Sequence, residues 1–124
     1  MPVSTALSRR SLLQGTAGLA AIGLSAQEAK AAKELVVGFI YVGAKDDYGY
    51  NQAHAEAAAM LKKMPGVKIV EEEKVPETDD VSKTMESMIQ LDDATLLFPT
   101  SFGYFDPYML KMAAKYPKIQ FRHC

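Results

Sequence analysis

The sequence predicts an α/β protein built on a parallel sheet of the doubly wound kind. Three observations carry that prediction. Short apolar runs rich in β-branched residues alternate with helix-forming segments from Glu34 to the C-terminus. The runs are continuous rather than alternating polar and apolar, as in strands covered on both faces. The intervening segments are long enough to form the crossovers that parallel strands require, and these are almost always right-handed.

The elements follow in order. "ELVVGFIYVG" (Glu34 to Gly43) is an apolar run closed by glycine and predicts a buried strand. "NQAHAEAAAMLKK" (Asn51 to Lys63) is alanine-rich, contains no breaker and predicts a helix, with Asn51 as its expected cap and "MPG" as its stop. "VKIVEEE" (Val67 to Glu73) predicts a second strand, followed by a proline-containing loop, "KVPET". "DDVSKTMESMIQLDD" predicts a helix capped by Asp79 or Asp80, with Val81, Met85, Met88 and Ile89 on one stripe. "ATLLFPT" (Ala94 to Thr100) is the third strand, "SFGYFDP" a loop, and "YMLKMAAKYP" (Tyr108 to Pro117) the third helix. "KIQFRHC" begins a fourth strand.

Composition narrows the function. The chain has 124 residues and 14 basic against 15 acidic side chains, a balance that gives no electrostatic reason to expect nucleic acid. Apolar content of 48% suits a globular core. A single cysteine, Cys124, can form neither an internal disulfide nor a metal site. No cofactor is expected: "GTAGLAAIG" imitates a dinucleotide-binding fingerprint but lies in the leader, and no nucleophile elbow is present.

Residues 1–31 have the order of an export signal: a basic start with Arg9 and Arg10, a mild apolar run, and "AKA" at Ala29 to Ala31 as a cleavage site. The paired arginines, with Leu12 and Leu13 after them, resemble a twin-arginine signal; an ordinary Sec signal is the alternative. The expected location is therefore the periplasm or beyond, with no membrane span after cleavage. Residues 32–124 are the expected folded part.

Ligands of doubly wound sheets sit beyond the carboxyl ends of the strands, where the strand order reverses. Two loops occupy such ends here, "GAKDDYGYNQ" after the first strand and "TSFGYFDP" after the third, both rich in aromatics, glycine and aspartate. Asp46 and Asp47 are adjacent, and neighbours in a loop point apart, so they suit a helix N-terminus better than an acid/base pair. A hydrogen bond from one of them to a ligand is the competing role, with Asp47 the better placed. Tyr48, Tyr50, Phe102, Tyr104 and Phe105 either stack on a flat ligand or seal the loops. His54 has no partner at a recognisable spacing.

With those residues in view, the chain resembles solute-binding proteins of the basic membrane protein family. These are periplasmic components of ABC importers, related to purine nucleoside receptor A type lipoproteins. "VGFIYVG" is similar to the family's first strand, and "DDYGYNQAH" to its D-x-G-W-(N/T)-x-A-H loop, with Tyr50 in place of tryptophan. "TSFGYFDP" and "AAKYPKIQF" match two further family motifs in the same order. The resemblance implies a type I periplasmic binding protein fold of two hinged lobes, of which this sequence would supply part of the first.

It also implies a small-molecule solute, a purine base, nucleoside or similar compound, and an ABC permease as partner of the full-length form. Tyr50 would stack on the base, Asp47 and Asn51 would hydrogen-bond it, and Ser101, Phe102 and Tyr104 would belong to the cleft wall. Two rivals stay open: a small secreted α/β enzyme using Asp47 and His54, and a stand-alone interaction domain gripping a protein through its aromatic loops.

Overall fold

A computed structural model describes residues 32–124. The export-signal expectation falls on residues 1–31, outside the described residues.

The elements alternate as β1 (Leu35–Ile40), α1 (Tyr50–Leu61), β2 (Val67–Glu72), α2 (Asp79–Gln90), β3 (Leu96–Pro99), α3 (Leu110–Lys115) and β4 (Gln120–Phe121). Between β3 and α3 lie a 3-10 turn (Phe102–Tyr104) and an irregular helical turn (Phe105–Met109) kinked at Asp106. The sheet has the order β2-β1-β3-β4, and every pairing is parallel. Leu35 to Ile40 pair with Val67 to Glu72 on one side, and Val37 to Ile40 pair with Leu96 to Pro99 on the other.

Because side chains alternate along a strand, β1 supplies both faces of the sheet. Val36 and Ile40 join Leu97, the α2 stripe Val81, Met85 and Met88, and Met109 and Met112 in the larger core. Val37, Phe39 and Tyr41 form the opposite core with Ala58 of α1, and Leu96 and Phe98 pack against it. Phe39 and Phe98 stack across neighbouring strands, with centroids 4.9 Å apart. Helices on both faces of an all-parallel sheet make the doubly wound α/β architecture the sequence predicts.

Gly38 is the one gap in the larger core's row on β1. A Cβ there would lie 2.4 Å from Leu97 Cδ2 and 2.7 Å from Met88 Sδ, so its absence lets α2 approach the sheet closely.

The caps differ from expectation. α2 is capped by Thr78, whose hydroxyl accepts from the Asp80 N–H at 3.3 Å, rather than by Asp79 or Asp80, which occupy its first turn. Thr78 is the residue with extended backbone, and only a residue outside the helix can turn its side chain back onto the first N–H groups. α1 begins one residue before Asn51, so Asn51 is not its cap; the capping oxygen comes from Asp47. α3 is shorter than predicted because the kink at Asp106 occupies the residues before Leu110. Among the described residues no helix is long and apolar enough to cross a membrane.

Candidate functional site

The two aromatic loops follow β1 and β3, which are neighbours in the sheet. The helix after β1 packs on one face and the helices around β3 on the other, so the chain parts between these strands. This is the switch point at which a crevice opens in doubly wound sheets.

The first loop is organised around Asp47. Its Oδ1 accepts from the N–H groups of Gly49 at 2.9 Å and Gln52 at 3.0 Å. Its Oδ2 accepts from the N–H of Asn51 at 3.1 Å and from Asn51 Nδ2 at 2.8 Å. The Gln52 N–H, the Asn51 amide and the other loop N–H groups hold the carboxyl at about 2, well below its usual range. Asp47 thus completes the α1 N-terminus and fixes the loop. Tyr48 reverses the chain within it at φ +56° and projects into solvent.

Asn51 is 6% exposed, and its Oδ1 is buried with no hydrogen-bond partner. Asp47 and Asn51 therefore come together, bonded to one another. The loop is tied sideways to the segment that follows β2: Tyr41 and Gly43 carbonyls accept from the Val75 and Lys74 N–H groups, and the Lys45 N–H donates to Glu73 at 2.8 Å.

Tyr50 joins the first loop to the second. Its hydroxyl donates to the Thr100 carbonyl just after β3, the residue is 44% exposed, and its ring meets His54 edge-on at 4.6 Å. Burial of the phenol, and then the charge at Cys124, raise its pKa above the ordinary value. Asp47 spends both oxygens on its own loop and His54 packs on Tyr50, so the geometry assembles no Asp47–His54 acid/base couple.

The second loop separates its residues by depth. Ser101 is buried, and its hydroxyl donates to Glu77. Tyr104 is 0% exposed and donates to the Val75 carbonyl at 2.5 Å; burial, then the Glu77 and Glu72 carboxylates, push its pKa up. It supports the loop from beneath. Phe102 is 77% exposed and offers its ring to solvent, with His123 beside it at 6.0 Å and Phe105 on the same imidazole at 5.0 Å.

Three contributors were not singled out from sequence. Thr100 is fully buried and donates from Oγ1 to the Ile40 carbonyl at 2.8 Å, locking β3 to β1 at the crevice. His123 follows β4 and approaches the Ser101 carbonyl at 3.3 Å. Glu77, in the loop after β2, holds Ser101 and the Gly103 N–H. The signal for Glu77 was its place beyond the carboxyl end of a strand, which gains meaning only when β2 is known to flank β1. Among the described residues no group of three or more His, Cys, Asp or Glu is arranged to hold a metal ion.

The arrangement offers exposed flat rings beside polar groups on a rigid frame, which suits reversible capture of a flat, polar small molecule. No family model matches the sequence. Over 97 residues the chain is 36% identical to a purine-binding protein of Brucella abortus (strain 2308), an alignment that covers 77% of this chain. The chain spans only 27% of that relative's length.

Proposed function

We propose that this chain belongs to an exported solute-binding protein of the basic membrane protein family, and that its two loops form one wall of a purine-binding cleft. The observation that carries the proposal is the meeting of both aromatic loops at the β1–β3 switch point, tied by the bond from Tyr50 to Thr100. The similarity to a purine-binding protein supports the choice of ligand class.

In this reading the rings of Phe102 and Tyr50 take the face of the base. Asp47, Asn51, Ser101 and Tyr104 hold those rings and the neighbouring N–H and C=O groups in place for its edge. The work is binding without covalent chemistry. A full-length protein of this kind has a second lobe that supplies the opposite wall, closes over the solute and presents it to an ABC permease. Export through the twin-arginine or Sec route places that work in the periplasm.

Ligand-observed NMR titration of the full chain with adenine, adenosine and a set of amino acids tests the reading. Purines are expected to bind and amino acids not. Phe102→Ala and Tyr50→Ala are each expected to weaken purine binding by about 1–3 kcal/mol, the weight of one base–aromatic stack. Binding of amino acids in preference to purines, or unchanged purine affinity in both variants, would overturn it.

A further inference from the structure

We propose that Glu77 reads the edge of the bound base, with one carboxylate oxygen accepting an N–H from the purine's six-membered ring or its amino substituent. The inference rests on the purine reading above and adds a residue that selects among purines.

Glu77 lies one residue before the Thr78 cap of α2 and reaches across to the loop after β3. Its Oε1 accepts both the Ser101 hydroxyl and the Gly103 N–H, the latter at 3.0 Å. Two donors fill that oxygen. Among the described residues Oε2 has no donor, and no lysine, arginine or histidine forms an ion pair with the carboxylate. The group is therefore fixed by one oxygen, and the other keeps its acceptor capacity unused.

Its position is tight against the loop. A Cβ on Gly103 would fall 2.3 Å from Glu77 Cδ and 2.5 Å from Oε2, so the carboxylate lies directly on Gly103 and a side chain there would displace it. The residue before Gly103 is Phe102, whose ring is the most exposed of the second loop. A held acceptor thus bonds the residue next in sequence to an exposed aromatic ring. Such a ring takes the face of a heterocycle without regard to its substituents, whereas a charged acceptor near it distinguishes edges. A base that offers an N–H gains a charge-assisted hydrogen bond. A base with only ring nitrogen lone pairs on that edge meets the carboxylate lone pair to lone pair.

The test uses 9-methyladenine and 9-methylpurine, which differ only in the amino group, titrated into the full chain by ligand-observed NMR. The wild-type protein is expected to bind 9-methyladenine about tenfold more tightly, the weight of one charge-assisted hydrogen bond at a partly exposed site. Glu77→Gln keeps the oxygen that holds Ser101 and Gly103 but replaces the free acceptor with an amide donor. That variant is expected to lose the tenfold preference or reverse it, while its thermal midpoint stays near the wild-type value. Glu77→Ala is expected to weaken both compounds because the loop loses its anchor.

A wild-type preference that Glu77→Gln leaves unchanged, or an equal loss of both compounds in Glu77→Gln, overturns the selecting role and leaves the purine reading intact. Failure of the wild-type chain to bind either compound overturns the purine reading itself.

Discussion

Asp47 illustrates how a carboxylate beside a candidate site can be committed to the backbone around it. Four donors of its own loop converge on its two oxygens, and they favour the ionised form. A carboxylate whose folded pKa lies below its unfolded value stabilises the fold above the unfolded value and loses that contribution as pH falls through the folded one. For Asp47 the window runs from 3.8 down to about 2. Glu71 is shifted the same way: burial opposes ionisation, but Lys62, the Tyr41 hydroxyl and Lys45 outweigh it. Glu86 follows, held ionised by Lys115 and Tyr116. The Gly49, Asn51 and Gln52 amides are therefore expected to lose hydrogen-exchange protection as pH drops across that window. Asp47→Asn should show weak protection of these amides even at neutral pH and no further loss on acidification. Equal protection in the wild type and the variant at pH 7 would count against the carboxylate as the loop's anchor.

The helices are held by different means. α2 presents Val81, Met85 and Met88 to the larger core and is fixed at its start by Thr78. α1 buries only Asn51 and Ala58, so its small alanine side chains let it lie close to the sheet while contributing little apolar area. Most of its exposed length is alanine and polar residues, and its position depends on the Asp47 loop and the tie from Tyr50 to Thr100. Met85→Ala is expected to cost about 2–5 kcal/mol, since the site is fully enclosed and cannot collapse freely. Met60→Ala, on the exposed side of α1, should stay within about 0.5 kcal/mol of wild type. Urea midpoints compared at constant slope measure both, and similar costs for the two would refute the packing assignment.

Across the whole molecule, β1 is the organising strand. It is paired on both sides and supplies side chains to both cores, whereas β4 is a two-residue strand at one edge. Local opening should follow that hierarchy. Native-state hydrogen exchange is expected to find the slowest amides in β1 and β3, with faster exchange in α1 and the fastest among the strands in β4. Protection of β4 equal to that of β1 would contradict it. The same architecture explains the site. The switch point lies between the two central strands, so its loops extend from the two strands that are paired on both sides.

The apolar runs, the alanine-rich segment and the Val81/Met85/Met88 stripe determined by themselves the number, kind and order of the elements. Local periodicity and side-chain volume suffice for that. They also placed Asp47, Tyr50, Asn51 and the Ser101–Tyr104 stretch in the loops that the fold brings together. Element ends were less legible: Thr78 rather than Asp79 or Asp80, and Asp47 rather than Asn51, act as caps, because capping depends on backbone angles that residue type does not specify. Tertiary structure alone separated the aromatics by depth, sending Tyr104 into the core and Phe102 to the surface two residues away. It alone brought Glu77 to Ser101 and Gly103. Strand order and loop conformation decide such meetings, and they arise from packing between segments distant in the chain, which no local pattern encodes.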